Sequence, residues 1–309
     1  MDTRYLDNFV LVVELGSIAE AARRLDLTPA TLAQRLRTLE VAIGTPLIVR
    51  AGRTVRPTPA GTRIVDRARA ILHEVRDLRA AASDTELPAG PLRLGATPTA
   101  LTGIVPLVLK DWARNYPHIN IYIEPGSSHG LYGRVLDNHL DAAVLVHPLF
   151  DMPKTCGWQG LRNEPLILLA PAGLAITDVL GTIAREPFIR YDRTVVAGKM
   201  ADDYLRQHGI RPHAQFELDG IENIALLVAQ GLGISVLPDW SVAATPNPLL
   251  RKWPLPPPVP ARHLGITWLR TGVRAPLVKA FVELAQRHFP PPQKTGQAEA
   301  LAALAPEAA

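Results

Sequence analysis

The sequence predicts a multidomain α/β protein: a small helical N-terminal domain, one long helix, and a larger domain in which strands and helices alternate. Three observations carry that prediction. The chain has 309 residues, more than one domain usually holds, and 47% are hydrophobic against 20% charged, enough to bury real cores. Residues 1–58 read as short helices broken by turn signals, with no strand longer than a few residues. From residue 91 onward, apolar runs of strand length recur between amphipathic helical segments.

In the first domain, Leu6, Phe9, Val10, Val13 and Leu15 share one face of a helix that ends at Gly16. Ser17 and Glu20 stand at capping-box spacing before a short second helix over 18–25, whose Ala19, Ala21 and Ala22 admit a close neighbour. Asp26 and Leu27 form the turn. Thr28 caps a third helix with Pro29 at its first position, where the missing N–H costs nothing, and the helix runs to Ile43 before Gly44. Leu32, Leu36, Leu39 and Ile43 are expected in the core, which leaves Ala30, Thr31, Ala33, Gln34, Arg35 and Arg37 around the remaining surface. Leu47-Ile48-Val49 and Thr54-Val55 then flank Arg50-Ala51-Gly52-Arg53 as a small β-ribbon. Three helices and a ribbon in this order are the layout of a winged helix-turn-helix, here residues 1–58.

Pro59-Ala60-Gly61 opens a long helix to about residue 82. On it Ile64, Ala68, Ile71, Val75 and Leu78 alternate steps of four and three, a coiled-coil seam. A helix packed on its own domain carries the same stripe, so both uses stay open. Residues 83–90, with Pro88 and Gly90, form a hinge that closes a 59–90 linker.

Strands are expected at 92–95, 119–124 and 141–146, then at 166–170, 188–191, 214–218 and 234–237. Alternation with helices predicts that they run parallel. After the proline-rich 254–260, residues 263–269 form another strand and 276–289 a closing helix, and the proline- and alanine-rich 291–309 is expected to be a disordered tail.

The net charge of +4 permits nucleic-acid binding without establishing it. Its location is more telling: residues 28–63 hold six arginines against the single acid Glu40, a net +5, and residues 1–90 contain no lysine. Planar guanidinium groups suit forked phosphate contacts, and Arg50, Arg53 and Arg56 bracket the wing, where they would meet phosphates or a minor groove. Double-stranded DNA is therefore the expected partner.

Other classes find little support. A single cysteine, Cys156, excludes an internal disulfide framework and fits a reducing compartment, with cytoplasm the expectation; both a redox role and a structural role for the thiol stay open. The apolar run 9–13 lacks the flanks of a secretory signal, and no stretch is long enough to span a bilayer. His118, His129, His139 and His147 lack metal-ligand spacing, and Gly231-Leu232-Gly233 precedes a strand rather than a helix, unlike a dinucleotide loop. No catalytic residue, metal or cofactor is expected. A solute-binding or enzymatic α/β protein is the rival class, which the distal two-thirds would permit on fold alone.

The runs Asp7-Asn8-Phe9-Val10, Gly16-Ser17-Ile18-Ala19-Glu20-Ala21-Ala22, Arg37-Thr38-Leu39-Glu40, Gly44-Thr45-Pro46-Leu47 and Thr58-Pro59-Ala60-Gly61, with Leu32 and Arg50, closely resemble the LysR-type transcriptional regulators. Leu92-Arg93-Leu94-Gly95 and Gly231-Leu232-Gly233-Ile234 resemble that family's effector domain, which extends the likeness to about residue 290. The resemblance implies a periplasmic-binding-protein-like domain, 91–290, made of two α/β subdomains: 91–163 with 266–290, and 164–265, joined by two crossings. It also implies a small-molecule effector between them, a homodimer through the linker helix, a homotetramer, and contact with RNA polymerase.

One departure falls in the recognition helix. Where the family usually carries Ser-Gln-Pro-Ala-Leu-Ser, this chain has Thr28-Pro29-Ala30-Thr31-Leu32-Ala33-Gln34. Methyl contacts from Ala30, Thr31 and Ala33 to thymine, with Gln34 reaching adenine, predict an A·T-leaning site. The expected DNA contacts are thus Thr28, Pro29, Ala30, Thr31, Ala33, Gln34, Arg35, Arg37, Arg50, Arg53 and Arg56.

Effector contacts are expected in loops that leave strand ends and enter helices. These are Thr97, Thr99 and Ala100 after the first strand, Ser127, Ser128 and His129 after the second, and Tyr191 and Arg193 across the cleft, with His147 added. Hydroxyls at two helix starts plus Arg193 would suit a small carboxylate. Simple helix capping by the same hydroxyls is the competing reading.

Overall fold

Capping side chains set the first three helices. The Asp2 carboxylate accepts from the Arg4 N–H at 2.9 Å to begin α1 (Thr3–Leu15), and Gly16, at φ 62°, ends it. Ser17 accepts from Glu20 N–H at 3.3 Å at the head of α2 (Ile18–Arg24), and Thr28 accepts from Thr31 N–H at 3.1 Å at the head of α3 (Pro29–Ile43). The computed structural model describes residues 2–52, 54–82, 91–240 and 247–290; Arg53, the expected hinge at 83–90 and the expected tail lie outside the described residues. The chain forms two compact units, taken here in turn.

In the first unit Leu32, Leu36 and Leu39 pack with Leu6, Phe9 and Val12, as their spacing predicts. Ile43 departs from it. It is 38% exposed beside Val41 at 82%, because the last turn of α3 runs past the end of the core. The ribbon forms from β1 (Ile48–Ala51) and β2 (Thr54–Pro57), antiparallel with Ala51 opposite Thr54. Its base is held by Glu40, whose Oε1 accepts from the Leu47 and Ile48 N–H groups at 2.8 and 3.2 Å.

The helix α4 (Pro59–Ala81) starts at Thr58, whose hydroxyl donates to Pro46 O at 2.8 Å and accepts from Gly61 N–H at 3.0 Å. A Cβ at Gly61 would collide with the Leu47 carbonyl oxygen, so only glycine lets α4 lie against the ribbon base. The apolar stripe of α4 serves two purposes. Ile64, Val65, Ala68 and Leu72 pack on the first-unit core, whereas Ile71 and Leu78 face outward, Leu78 at 71% exposure.

The second unit opens with β3 (Leu92–Ala96), α5 (Pro98–Gly103), α6 (Val105–Asn115), β4 (Ile121–Pro125), α7 (Ser128–Leu136) and β5 (Ala142–Val146). It continues with β6 (Cys156–Pro171), α8 (Val179–Arg185), β7 (Phe188–Tyr191), α9 (Val196–Gln207), β8 (Ala214–Leu218), α10 (Ile221–Ala229), β9 (Ser235–Pro238), β10 (Leu250–Pro254), β11 (Ala261–Leu269) and α11 (Ala275–His288). The main sheet runs β10-β6-β11-β5-β3-β4, with β9 on β6. Among the described strands, β3 pairs parallel with β4 and β5, and β7 with β8, whereas β6, β9, β10 and β11 pair antiparallel, which corrects the all-parallel expectation. The chain doubles back between the two halves of the domain, and that return requires opposed strands.

The predicted strand at 166–170 is the far half of β6, a 16-residue strand. Its near half pairs with β11 and its far half with β10 and β9. In the far half, Leu166, Leu168 and Ala170 face one core and Ile167 and Leu169 the other, so helices cover both sheet faces. Cys156, at the start of β6, is buried among Leu131, Val135 and Leu145.

Candidate nucleic-acid interface and effector site

Burial of Leu32, Leu36 and Leu39 turns the opposite face of α3 outward. Thr28, Pro29, Ala30, Thr31, Gln34 and Arg37 are exposed there, and Ala33 is half-buried. Arg35 is half-buried and drawn toward α1, its Nη1 3.4 Å from the Asn8 Oδ1. Arg50 and Arg56 are exposed on the ribbon; Arg53 is outside the described residues. Glu40, the one acid among these arginines, points its carboxylate into backbone N–H groups, so the outward surface of α3 and the ribbon is positive. The Thr28 and Thr31 hydroxyls lie 2.8 Å apart and share a hydrogen bond.

In the second unit, parallel β3, β4 and β5 all end at one sheet edge, and the loops leaving them lie together. Thr97 N–H donates to Val144 O at 3.1 Å, and Gly126 N–H to Ala96 O at 3.2 Å. Thr97 precedes α5 but makes no cap bond: its buried hydroxyl has no hydrogen-bond partner. Thr99 Oγ1 accepts from Arg262 Nη2 at 3.2 Å. Arg262 in turn donates to Glu164 Oε2 at 2.7 Å, a pair buried to 4% and 2% exposure, with Arg162 at 3.6 Å from the same carboxylate. Glu164 and Arg262 face each other where β6 and β11 cross between the halves of the domain.

Tyr191 ends β7. Burial pushes its phenol up to about 12, against the opposing pull of the Arg262 charge, so it stays protonated as a neutral donor at neutral pH. His147 follows β5, its Nδ1 2.6 Å from Pro148 O and its ring edge-on to Trp158 at 4.7 Å. Burial, then His147, pushes His263 down.

The other sequence candidates are engaged elsewhere. Ser127 accepts from Gly130 N–H at 3.2 Å as a helix cap, Ser128 accepts from Val146 N–H at 3.1 Å, and His129 is exposed. Arg193 grips Glu217 on β8 through two bonds of 2.8 and 3.0 Å at the surface. The structure thus ties Thr99 to Arg262 and Glu164 and leaves Tyr191 within reach of their charges, while Thr97 and Ala100 share the loop and helix start that carry Thr99. Sequence reasoning missed Glu164 and Arg262. Their one signal is a charge inside a strand, which cannot name a partner 98 residues away.

Residues 3–62 match the model of bacterial regulatory helix-turn-helix proteins of the lysR family, and residues 85–290 match the LysR substrate binding domain. The chain belongs to the LysR family. It is a DNA-binding transcriptional regulator with a LysR effector-binding domain, and members of the family are non-enzymatic regulators. CzcR of Bacillus subtilis, an HTH-type transcriptional regulator, is 26% identical over 242 residues, covering 78% of this chain and 82% of its own. YybE of the same organism, an uncharacterized HTH-type regulator, is 26% identical over 294 residues, 94% and 99% of the two chains. The fold is shared with full-length OxyR from Pseudomonas aeruginosa, at TM-score 0.69 and 24% identity over 96% of this chain and 99% of that one. It is shared also with full-length CbnR in complex with its target DNA, at TM-score 0.68 and 20% identity over 93% and 99%. Among the described residues no helix is long and apolar enough to cross a membrane.

Proposed function

We propose that this LysR regulator is controlled by a small carboxylate held at Thr97, Thr99 and Ala100, with Tyr191 opposite. The observations that carry this reading are the Thr97 hydroxyl, buried without a partner, and, two residues on, Thr99 bonded to the Arg262 guanidinium, which shares the Glu164 carboxylate with Arg162. An orphaned buried hydroxyl costs free energy until a ligand satisfies it. Arg162 and Arg262 against Glu164 leave one positive charge in excess, which favours an anion over a neutral ligand. Arg193, engaged with Glu217, is left out of the contact set.

Calorimetric titration of short mono- and dicarboxylates, each beside its amide, tests the reading. Carboxylates are expected to bind and amides not, and Thr97→Val is expected to weaken binding roughly ten-fold, the worth of one hydrogen bond to a charged group. Preference for the amides would overturn it.

At the other end of the chain, we propose that α3 enters the major groove of an A·T-leaning half-site through Ala30, Thr31 and Gln34. Arg37, Arg50 and Arg56 hold phosphates, together with Arg53 of the wing. Residues 1–58 act as the DNA-binding domain, 59–90 as the linker and 91–290 as the effector domain. The outward Ile71 and Leu78 on α4 suit a homodimer through the linker helix, which a homotetramer would extend along DNA toward RNA polymerase.

A further inference from the structure

We infer that Thr31 is a methyl-only reader: its γ-methyl group contacts the 5-methyl of one thymine in each half-site, while its hydroxyl takes no part in recognition. The inference rests on the reading of α3 as the recognition helix and sharpens it to one residue and one functional group of the DNA.

Threonine at the start of a recognition helix is chemically ambiguous, since its hydroxyl can donate to or accept from any base edge and its methyl can pack on thymine. The local hydrogen bonds narrow that choice here. Thr31 Oγ1 lies 2.8 Å from Thr28 Oγ1, and Thr28 also accepts from Thr31 N–H at 3.1 Å, so the hydroxyl is turned back toward the head of the helix. A β-branched side chain has few χ1 choices in a helix, and with the oxygen so tied the methyl takes the other branch of an exposed residue. The neighbours on this face leave Thr31 as the reader with reach. Ala33 is half-buried, Ala30 ends at Cβ, and Gln34 carries a polar amide suited to an adenine edge. The Thr28–Thr31 tie exists because threonine stands at 31 where the family pattern has alanine.

The test uses the full-length protein. A binding site is recovered by selection from random duplex DNA, and each thymine is then replaced singly by deoxyuridine, which lacks only the 5-methyl. The wild type is expected to lose roughly four-fold in affinity at one thymine per half-site, what a buried methyl group is worth. Thr31→Ser keeps the hydroxyl and loses the methyl, and is expected to bind thymine and uracil alike at that position. Thr31→Val loses the hydroxyl and keeps the methyl, and is expected to keep the roughly four-fold discrimination between thymine and uracil at that position. Thr31→Ser discriminating as well as the wild type, or Thr31→Val losing the discrimination, would overturn the inference. A half-site with thymines that are all indifferent to the exchange overturns this inference alone. A G·C-rich half-site without thymine overturns the A·T reading as well.

Discussion

The DNA-binding unit and the effector unit use their polar groups in opposite ways. In the first, the helix starts are set by polar side chains that work within a few residues: Ser17 on Glu20, Thr28 on Thr31 and Thr58 on Gly61 all cap the helix they begin. In the second, the polar centre joins strands distant in sequence, with Glu164 and Arg262 buried against each other and Thr99 tied to them. Local capping adds modest stability to one element and leaves its outer face free for a large, charged, solvent-facing partner. A buried pair between β6 and β11 instead joins residues 98 apart in sequence, and its energy depends on both strands being in place.

That contrast can be broken most forcefully at Glu164. Glu164→Gln strands the buried Arg262 guanidinium, and the expected loss is about 3–5 kcal/mol, as when one partner of a buried ion pair is removed. All five tryptophans lie beyond residue 91, so urea unfolding followed by tryptophan fluorescence reads the second unit alone. An unchanged midpoint there would mean that the pair does not hold the crossing together. The corresponding cut in the first unit is Thr28→Ala, with an expected cost of about 1 kcal/mol. It should increase amide exchange in the first turn of α3 and leave the tryptophan transition where it is; a shift of that transition would deny the units their independence.

The smallest effect belongs to the surface of the second unit. Arg193→Ala is expected to leave the urea midpoint of the second unit nearly unchanged, because the Arg193–Glu217 pair is exposed and screened. The Arg193 guanidinium holds the Glu217 carboxyl below its ordinary value of 4.5. A depressed carboxyl contributes stability above that ordinary value and loses it as pH falls through the lowered one. Carboxyl titration by NMR should therefore show Glu217 moving back up toward 4.5 in the variant. A titration that stays low would place the cause elsewhere.

Legibility follows the same division. Gly16, Ser17, Thr28, Pro29 and Gly44 could be read as helix ends because a cap is a property of four or five consecutive residues. Arg35 could not be told from Arg37 by spacing, since which arginine turns back to Asn8 depends on where α1 lies. Arg193 looked available for a ligand until Glu217 on a parallel neighbour took it. The near half of β6 went unread because Gln159, Arg162, Asn163 and Glu164 break the apolar pattern, a strand that leaves one core before reaching the next.

By itself the sequence determined the winged helix-turn-helix, the long helix after it and the family to which the chain belongs, because local propensities and a gapless motif carry that information. Only the tertiary structure decided that Ile43 is outside the core, that the second-unit sheet is mixed, that Thr97 is a buried hydroxyl without a cap bond, and that Arg262 and not Arg193 stands beside Thr99. Each of these depends on which residues remote in the chain become neighbours, and the energy of a buried charge or hydroxyl is set by those neighbours rather than by the residues beside it in sequence.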